Sequence, residues 1–182
     1  MAQYSLTEEQ ELLQQSVRQV ARERVASRAA EIDARAEYPQ DMFDLLRELE
    51  YLALPFAPEY GGTGSVLSGC LAVEELGRVC YNTAYLLVVQ WVPFGAILAA
   101  GNEQQRARLL PGLASGELRG SISVTEPGAG SDVAGIQTRA KRDGDGYRLK
   151  GTKIFATNAK VANFVLVAAK TDPEAGGRGV SL

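Results

Sequence analysis

Through the first two-thirds of the chain, apolar residues recur at three- and four-residue spacing, the signature of helices burying one face. Thr7 followed by Gln10 reads as a capping box, and Leu13, Val17, Val20 and Ala21 then share a face, so a helix is predicted to run to about Ala36. Pro39 reads as the first-turn proline of a second helix carrying Phe43, Leu46 and Leu49, ended by Pro55 and Pro58. A glycine loop, Glu59-Tyr60-Gly61-Gly62-Thr63-Gly64, precedes a third helix predicted over 68–79. From Val79 to Asn102 there is no Asp, Glu, Lys or Arg over 24 residues, long enough to span a bilayer. Asn82, Thr83, Gln90, Pro93 and Gly95 interrupt it, and the reading is a buried central helix with no membrane, kinked or divided at Pro93. A short charged helix is predicted over 103–110, with 111–116 as a turn-rich connector.

Near Gly120 the period changes. Residues 121–125 read as a strand, 136–141 and 147–149 as the arms of a hairpin around Asp143-Gly144-Asp145-Gly146, and 164–169 as a buried strand. The fold class expected is α+β: an all-α bundle over 1–119, then a partial antiparallel β domain over 120–182. So few strands make a thin sheet with open edges, and the chain reads as unfinished.

Composition narrows the chemistry. The 182 residues, 46% hydrophobic, support a core. A net charge of −3 gives no basic field for nucleic acid. The absence of histidine removes Ser-His and Cys-His pairs and His-ligated metals, and no metal site is expected. Cys70 and Cys80 read as reduced, buried structural side chains. The opening stretch, Met1 to Glu9, has neither secretory nor transit-peptide design, so the cytoplasm is expected.

The most informative segment is Ser123-Val124-Thr125-Glu126-Pro127-Gly128-Ala129-Gly130-Ser131-Asp132, small and hydroxylated residues following a strand. Such a loop can turn backbone N–H groups toward an anionic ligand. Gly128 and Gly130 allow positive φ and close backbone approach, although Pro127-Gly128 is a turn in any protein. A Rossmann fingerprint is absent. Val124 and Thr125, taken alone, are equally ordinary strand residues, and Ser131 an ordinary cap.

With Pro58-Glu59-Tyr60-Gly61-Gly62, Glu74-Glu75-Leu76-Gly77, Gly101-Asn102-Glu103-Gln104-Gln105, Leu113-Ala114-Ser115-Gly116-Glu117 and Lys153-Ile154-Phe155-Ala156-Thr157-Asn158, the loop forms an ordered set. It resembles the acyl-CoA dehydrogenase family along essentially the whole chain. The resemblance implies an N-terminal helical domain and the opening of a middle β domain, without the C-terminal helical domain and its glutamate base. It implies FAD as cofactor and α,β-dehydrogenation of an acyl thioester, so the chain alone is expected to be inactive.

By the same resemblance, Ser123, Val124, Thr125, Gly130, Ser131, Phe155, Ala156 and Thr157 contact the cofactor, with Phe155 standing where the family usually has tryptophan. Ser131 also reaches the substrate's pantetheine arm, and Tyr85, Val88 and Trp91 match the acyl-pocket lining; by periodicity alone those three are simply core. Glu126 is read as structural, with hydrogen bonds lowering its pKa. The implied partners are acyl-CoA or an acyl-carrier thioester, electron-transferring flavoprotein or another acceptor, and further subunits in a homo- or hetero-oligomer. Alternatives on the same fold are an oxidase or monooxygenase, or a non-catalytic truncated subunit.

Overall fold

The structure is a computed structural model that describes residues 5–182, so the first four residues of the opening stretch lie outside the described residues. The chain divides into two compact units, Met1–Glu117 and Leu118–Leu182.

The first unit is helical. Thr7 and Gln10 close the predicted capping box and start α1 (Glu8–Val20). A π-helical turn, Ala21–Val25, leads without a break into α2 (Ala26–Arg35), which ends on left-handed Ala36. The remaining helices are α3 (Gln40–Glu48), α4 (Val66–Gly77), α5 (Tyr81–Ala100) and α6 (Glu103–Ser115). Pro39 is the N-cap of α3 and not its first-turn residue.

Of the two outcomes expected at Pro93, division does not occur, and the connector expected over 111–116 is not formed. α5 is undivided with Pro93 inside it, and α6 runs through Pro111 to Gly116 in place of a turn-rich connector. Pro93 is itself buried, and Pro111 is followed by buried Leu113 and Ala114. Packing therefore outweighs the lost helical bonds. A capping box of Asn102 and Gln105, with both bonds at 2.8 Å, fixes the start of α6.

The core joins Val17, Phe43, Leu46, Leu52, Leu76 and Leu87 from successive elements. Arg18 of α1 reaches buried Glu75 of α4 with two bonds, 2.9 and 2.8 Å, so a motif glutamate becomes the tie between these helices. In the glycine loop, a Cβ on Gly62 would lie 2.1 Å from the Ala53 carbonyl oxygen, and only glycine fits there. α5 is long and apolar enough to cross a membrane, and half of it is buried within the structure. Cys80 is buried, but Cys70 is exposed on α4, contrary to expectation.

The second unit contains β1 (Gly120–Ser123), β2 (Arg139–Asp143), β3 (Gly146–Lys150), β4 (Phe164–Val167), β5 (Ala169–Lys170) and β6 (Val180–Ser181). The hairpin β2–β3 is antiparallel, turning on Gly144 at φ +58, and β5–β6 is also antiparallel. β1 pairs β4 in parallel, and β2 meets β5 in parallel through one residue pair. The α+β layout stands, with its small sheets mixed in direction. β4 is half-buried, not fully buried as predicted. Its interior is small: Ala129, Ile136 and Ala168, flanked by Val124 and Val180. An open cleft of about 390 Å³ is lined by Tyr147, Leu149, Val165 and Leu182 among others.

Candidate functional site

The loop after β1 and the segment after β3 are stitched together. The Ser121 hydroxyl donates to the Thr157 carbonyl at 2.7 Å, and the Ile154 N–H donates to the Thr125 carbonyl at 2.9 Å. Between them, the Lys153 ammonium donates to the Val124 carbonyl at 2.7 Å and to Glu126 Oε1 at 2.9 Å. The structure thus holds 123–126 and 153–157, the two stretches singled out from sequence, in one fixed register.

Glu126 is the centre of this stitching. It is 6% exposed, and its carboxylate also accepts the Gln137 N–H at 2.6 Å and the Thr138 N–H at 2.9 Å. Its backbone exchanges two hydrogen bonds with Ala129, closing the turn across Pro127 and Gly128. Burial opposes its ionisation, but hydrogen bonds from Thr138, Gln137 and Lys153 outweigh it and bring the carboxyl down to about 2. This is the structural role read from sequence, and such a carboxylate is a poor proton acceptor.

Around the anchor, the groups facing outward are those a ligand could use. Thr125 gives its carbonyl to Ile154, while among the described residues the N–H groups of Thr125, Gly130 and Ser131 enter no backbone hydrogen bond. Ser131 is exposed, Ser123 is buried in β1, and Val124 and Ala156 are half-buried. Gly128 and Gly130 do not take positive φ, correcting that expectation, and the space over both is open. Asp132 starts a short 3-10 turn, Val133–Gly135, accepting the Gly135 N–H on its carbonyl.

Phe155 is the unexpected member. Residues 151–156 form no strand; Phe155 sits at φ +56 with 83% of its surface exposed. A bulky residue held left-handed is strained, and such strain clusters at ligand sites. Thr157 follows in a turn, its N–H bonded to the Phe155 carbonyl. Exposed aromatic face, hydroxyls and open amides are a donor set that fits an isoalloxazine and its pyrophosphate.

The residues predicted on α5 belong to the helical unit. Trp91 is part of its packing: the indole N–H donates to the Leu52 carbonyl at 2.8 Å, and the ring lies against Gly69. Tyr85 is exposed and stacks on Tyr81, and Val88 is half-buried. Sequence reasoning assigned no role to Lys153. Its signal is an ammonium three residues beyond the end of a hairpin, within reach of a carbonyl after β1 and a buried acid.

Comparison with known proteins agrees with this fold. Residues 7–117 match the model of the acyl-CoA dehydrogenase N-terminal domain, and 121–182 that of the middle domain. The chain is 42% identical to cyclohex-1-ene-1-carbonyl-CoA dehydrogenase of Geobacter metallireducens, over 97% of this chain and 47% of that one. It superposes on butyryl-CoA dehydrogenase of Megasphaera elsdenii with a TM-score of 0.88 at 33% identity, covering 98% of this chain and 48% of that one. It also superposes on a chain in the structure of the electron-transferring flavoprotein of Acidaminococcus fermentans, with a TM-score of 0.90 at 36% identity, 98% of this chain and 48% of that one. The chain spans about half the length of the relatives it matches. With two successive domain models matched in order, the chain belongs to the acyl-CoA dehydrogenase family.

Proposed function

We propose that this chain supplies the helical and opening β portions of an FAD-dependent acyl-thioester dehydrogenase, with acyl-CoA as its substrate class. One observation carries the reading: Lys153, Ile154 and Ser121 lock the 123–126 and 153–157 stretches into a single rigid face that presents Phe155, Thr125 and Thr157. Bound FAD would supply the hydride acceptor for α,β-dehydrogenation; the chain's own contribution is placement. Thr125 offers its N–H and hydroxyl to the polar edge of the flavin, with the backbones of Ser123, Val124, Gly130 and Ala156 alongside. Phe155 covers a ring face, and Thr157 directs its hydroxyl at the reactive edge. Ser131 stands between the cofactor's phosphates and the thioester arm. On α5, Tyr85 and Val88 line the acyl chain, and the fixed Trp91 ring limits its depth.

Glu126 takes no part in moving the substrate proton, because both its oxygens are engaged and it stays ionised down to about pH 2. The base is assigned to none of this chain's residues, and the chain alone is expected to hold FAD weakly and to be inactive. The likeness to relatives named for acyl-CoA substrates supports the substrate class. The likeness to a chain in an electron-transferring flavoprotein structure supports that protein class as acceptor.

The test mixes the chain with a polypeptide covering the remaining half of a full-length relative. The assembly should retain yellow cofactor through gel filtration and bleach on addition of a saturated acyl-CoA. Thr125→Val with Thr157→Val should weaken FAD retention about tenfold or more, at the roughly 1 kcal/mol expected of each hydroxyl. An assembly that never retains flavin, or one in which the double variant retains it unchanged, refutes the proposal; the first outcome favours a non-catalytic subunit.

A further inference from the structure

The two units carry opposite charge. Up to Glu117 the sequence has nine arginines and no lysine against sixteen acidic residues; from Leu118 onward it has ten basic residues against six acidic. The excess of positive charge is concentrated in one place. In the β2–β3 hairpin, Arg139 stands directly opposite Lys150, and Lys141 opposite Arg148. Side chains alternate across a strand, so these four cations share one face, while Ala140, Tyr147 and Leu149 take the other and line the apolar cleft.

Like charges directly opposite each other oppose strand pairing, and here two such rungs are adjacent. Asp143 offsets part of this through Arg148, at 2.6 Å, yet Arg148 remains 79% exposed. Among the described residues Arg139, Lys141 and Lys150 enter no ion pair; Arg142 lies over the Tyr147 ring on the opposite face. The patch is small: about 5 Å across the rung and about 7 Å between rungs. That size suits a few carboxylates on one rigid element. An extended polyanion would run beyond it, against a chain whose net charge is −3.

A matching element exists on the chain itself. The first turn of α1 carries Glu8, Glu9 and Glu11, all exposed and, among the described residues, in no ion pair. Elsewhere in the helical unit Glu31, Glu37, Asp41, Asp44, Glu48, Glu74 and Glu75 are already matched to arginines. Glu23, Asp33, Glu50, Glu59, Glu103 and Glu117 enter no ion pair among the described residues, but none of them lies within a helical turn of another unpaired acid. Glu8 and Glu11, three residues apart, stand about 5–6 Å apart on one face, close to the rung spacing. We infer that the cationic face of the β2–β3 hairpin is an interaction surface that receives the acidic first turn of α1 from a second copy of this chain.

The test is sedimentation of the chain at high micromolar concentration, in low salt and in about 0.5 M salt, where charges are screened within a few ångströms. Association is expected in low salt and dissociation in high salt. Lys141→Glu with Arg148→Glu should weaken association about tenfold or more, as should Glu8→Lys with Glu11→Lys. Mixing these two charge-reversed variants should restore it. Far-UV circular dichroism checks that each is folded, and Lys141→Gln with Arg148→Gln serves if the reversal is not. A monomer in low salt overturns the inference. So does association that survives high salt or the hairpin reversal, and so does failure of the mixed variants to recover it.

Discussion

Lys153→Met tests the anchor beneath the candidate site. In the native chain the ammonium makes two charge-assisted hydrogen bonds, to the Val124 carbonyl and to Glu126, and its side chain is only 11% exposed. Methionine fills a similar volume but donates nothing. Removing one partner of a buried ion pair costs about 3–5 kcal/mol, because the other charge stays buried. Glu126 keeps two backbone donors, Gln137 and Thr138, so the lower end applies, about 3 kcal/mol. Hydrogen–deuterium exchange is the assay. Amides at Ile154, Gln137 and Thr138, bonded directly into the anchor, should exchange about 100-fold faster. Trp91, the chain's one tryptophan, reports the helical unit by fluorescence and should be unaffected. Glu126→Gln paired with Lys153→Met should cost less than the sum of the single changes, by about 1–3 kcal/mol. Unchanged exchange at those amides, or strictly additive singles, would show that Lys153 and Glu126 do not hold the site together.

Glu126 and Gly62 give two further outcomes. The Glu126 carboxyl is held at about 2, below its ordinary 4.5, so its contribution to stability is complete above about pH 4.5 and is lost as pH falls toward 2. Circular dichroism melts should show that loss in the second unit, and Glu126→Gln should flatten the pH dependence across this window. Gly62→Ala would drive a methyl to 2.1 Å from one backbone oxygen and 2.2 Å from another, at Ala53 and Phe56. It should destabilise the helical unit by about 2–4 kcal/mol, read by Trp91 fluorescence in urea.

What could be read in the chain beforehand was whatever depends on near neighbours. The capping box at Thr7 and Gln10 and the hairpin on Gly144 are local chemistry, and both are in place. Glu126 was also legible, because an acid beside a turn has backbone donors within reach. Prolines misled, since their local cost is overridden at Pro93 and Pro111 by packing that no short window displays. The parallel β1–β4 pairing depends on partners distant in sequence. So does the left-handed Phe155, whose neighbours Lys153 and Ile154 are pinned from the β1 side. Lys153 itself lay in a quoted motif, but its two acceptors are 27 and 29 positions away.

The lopsided distribution of amines reaches beyond electrostatics. The first lysine from the N-terminus is Lys141, so a lysine-specific protease has no cleavage point anywhere in α1 to α6. Amine-directed labels can mark side chains only in the β portion, and there Lys153 is shielded by its burial.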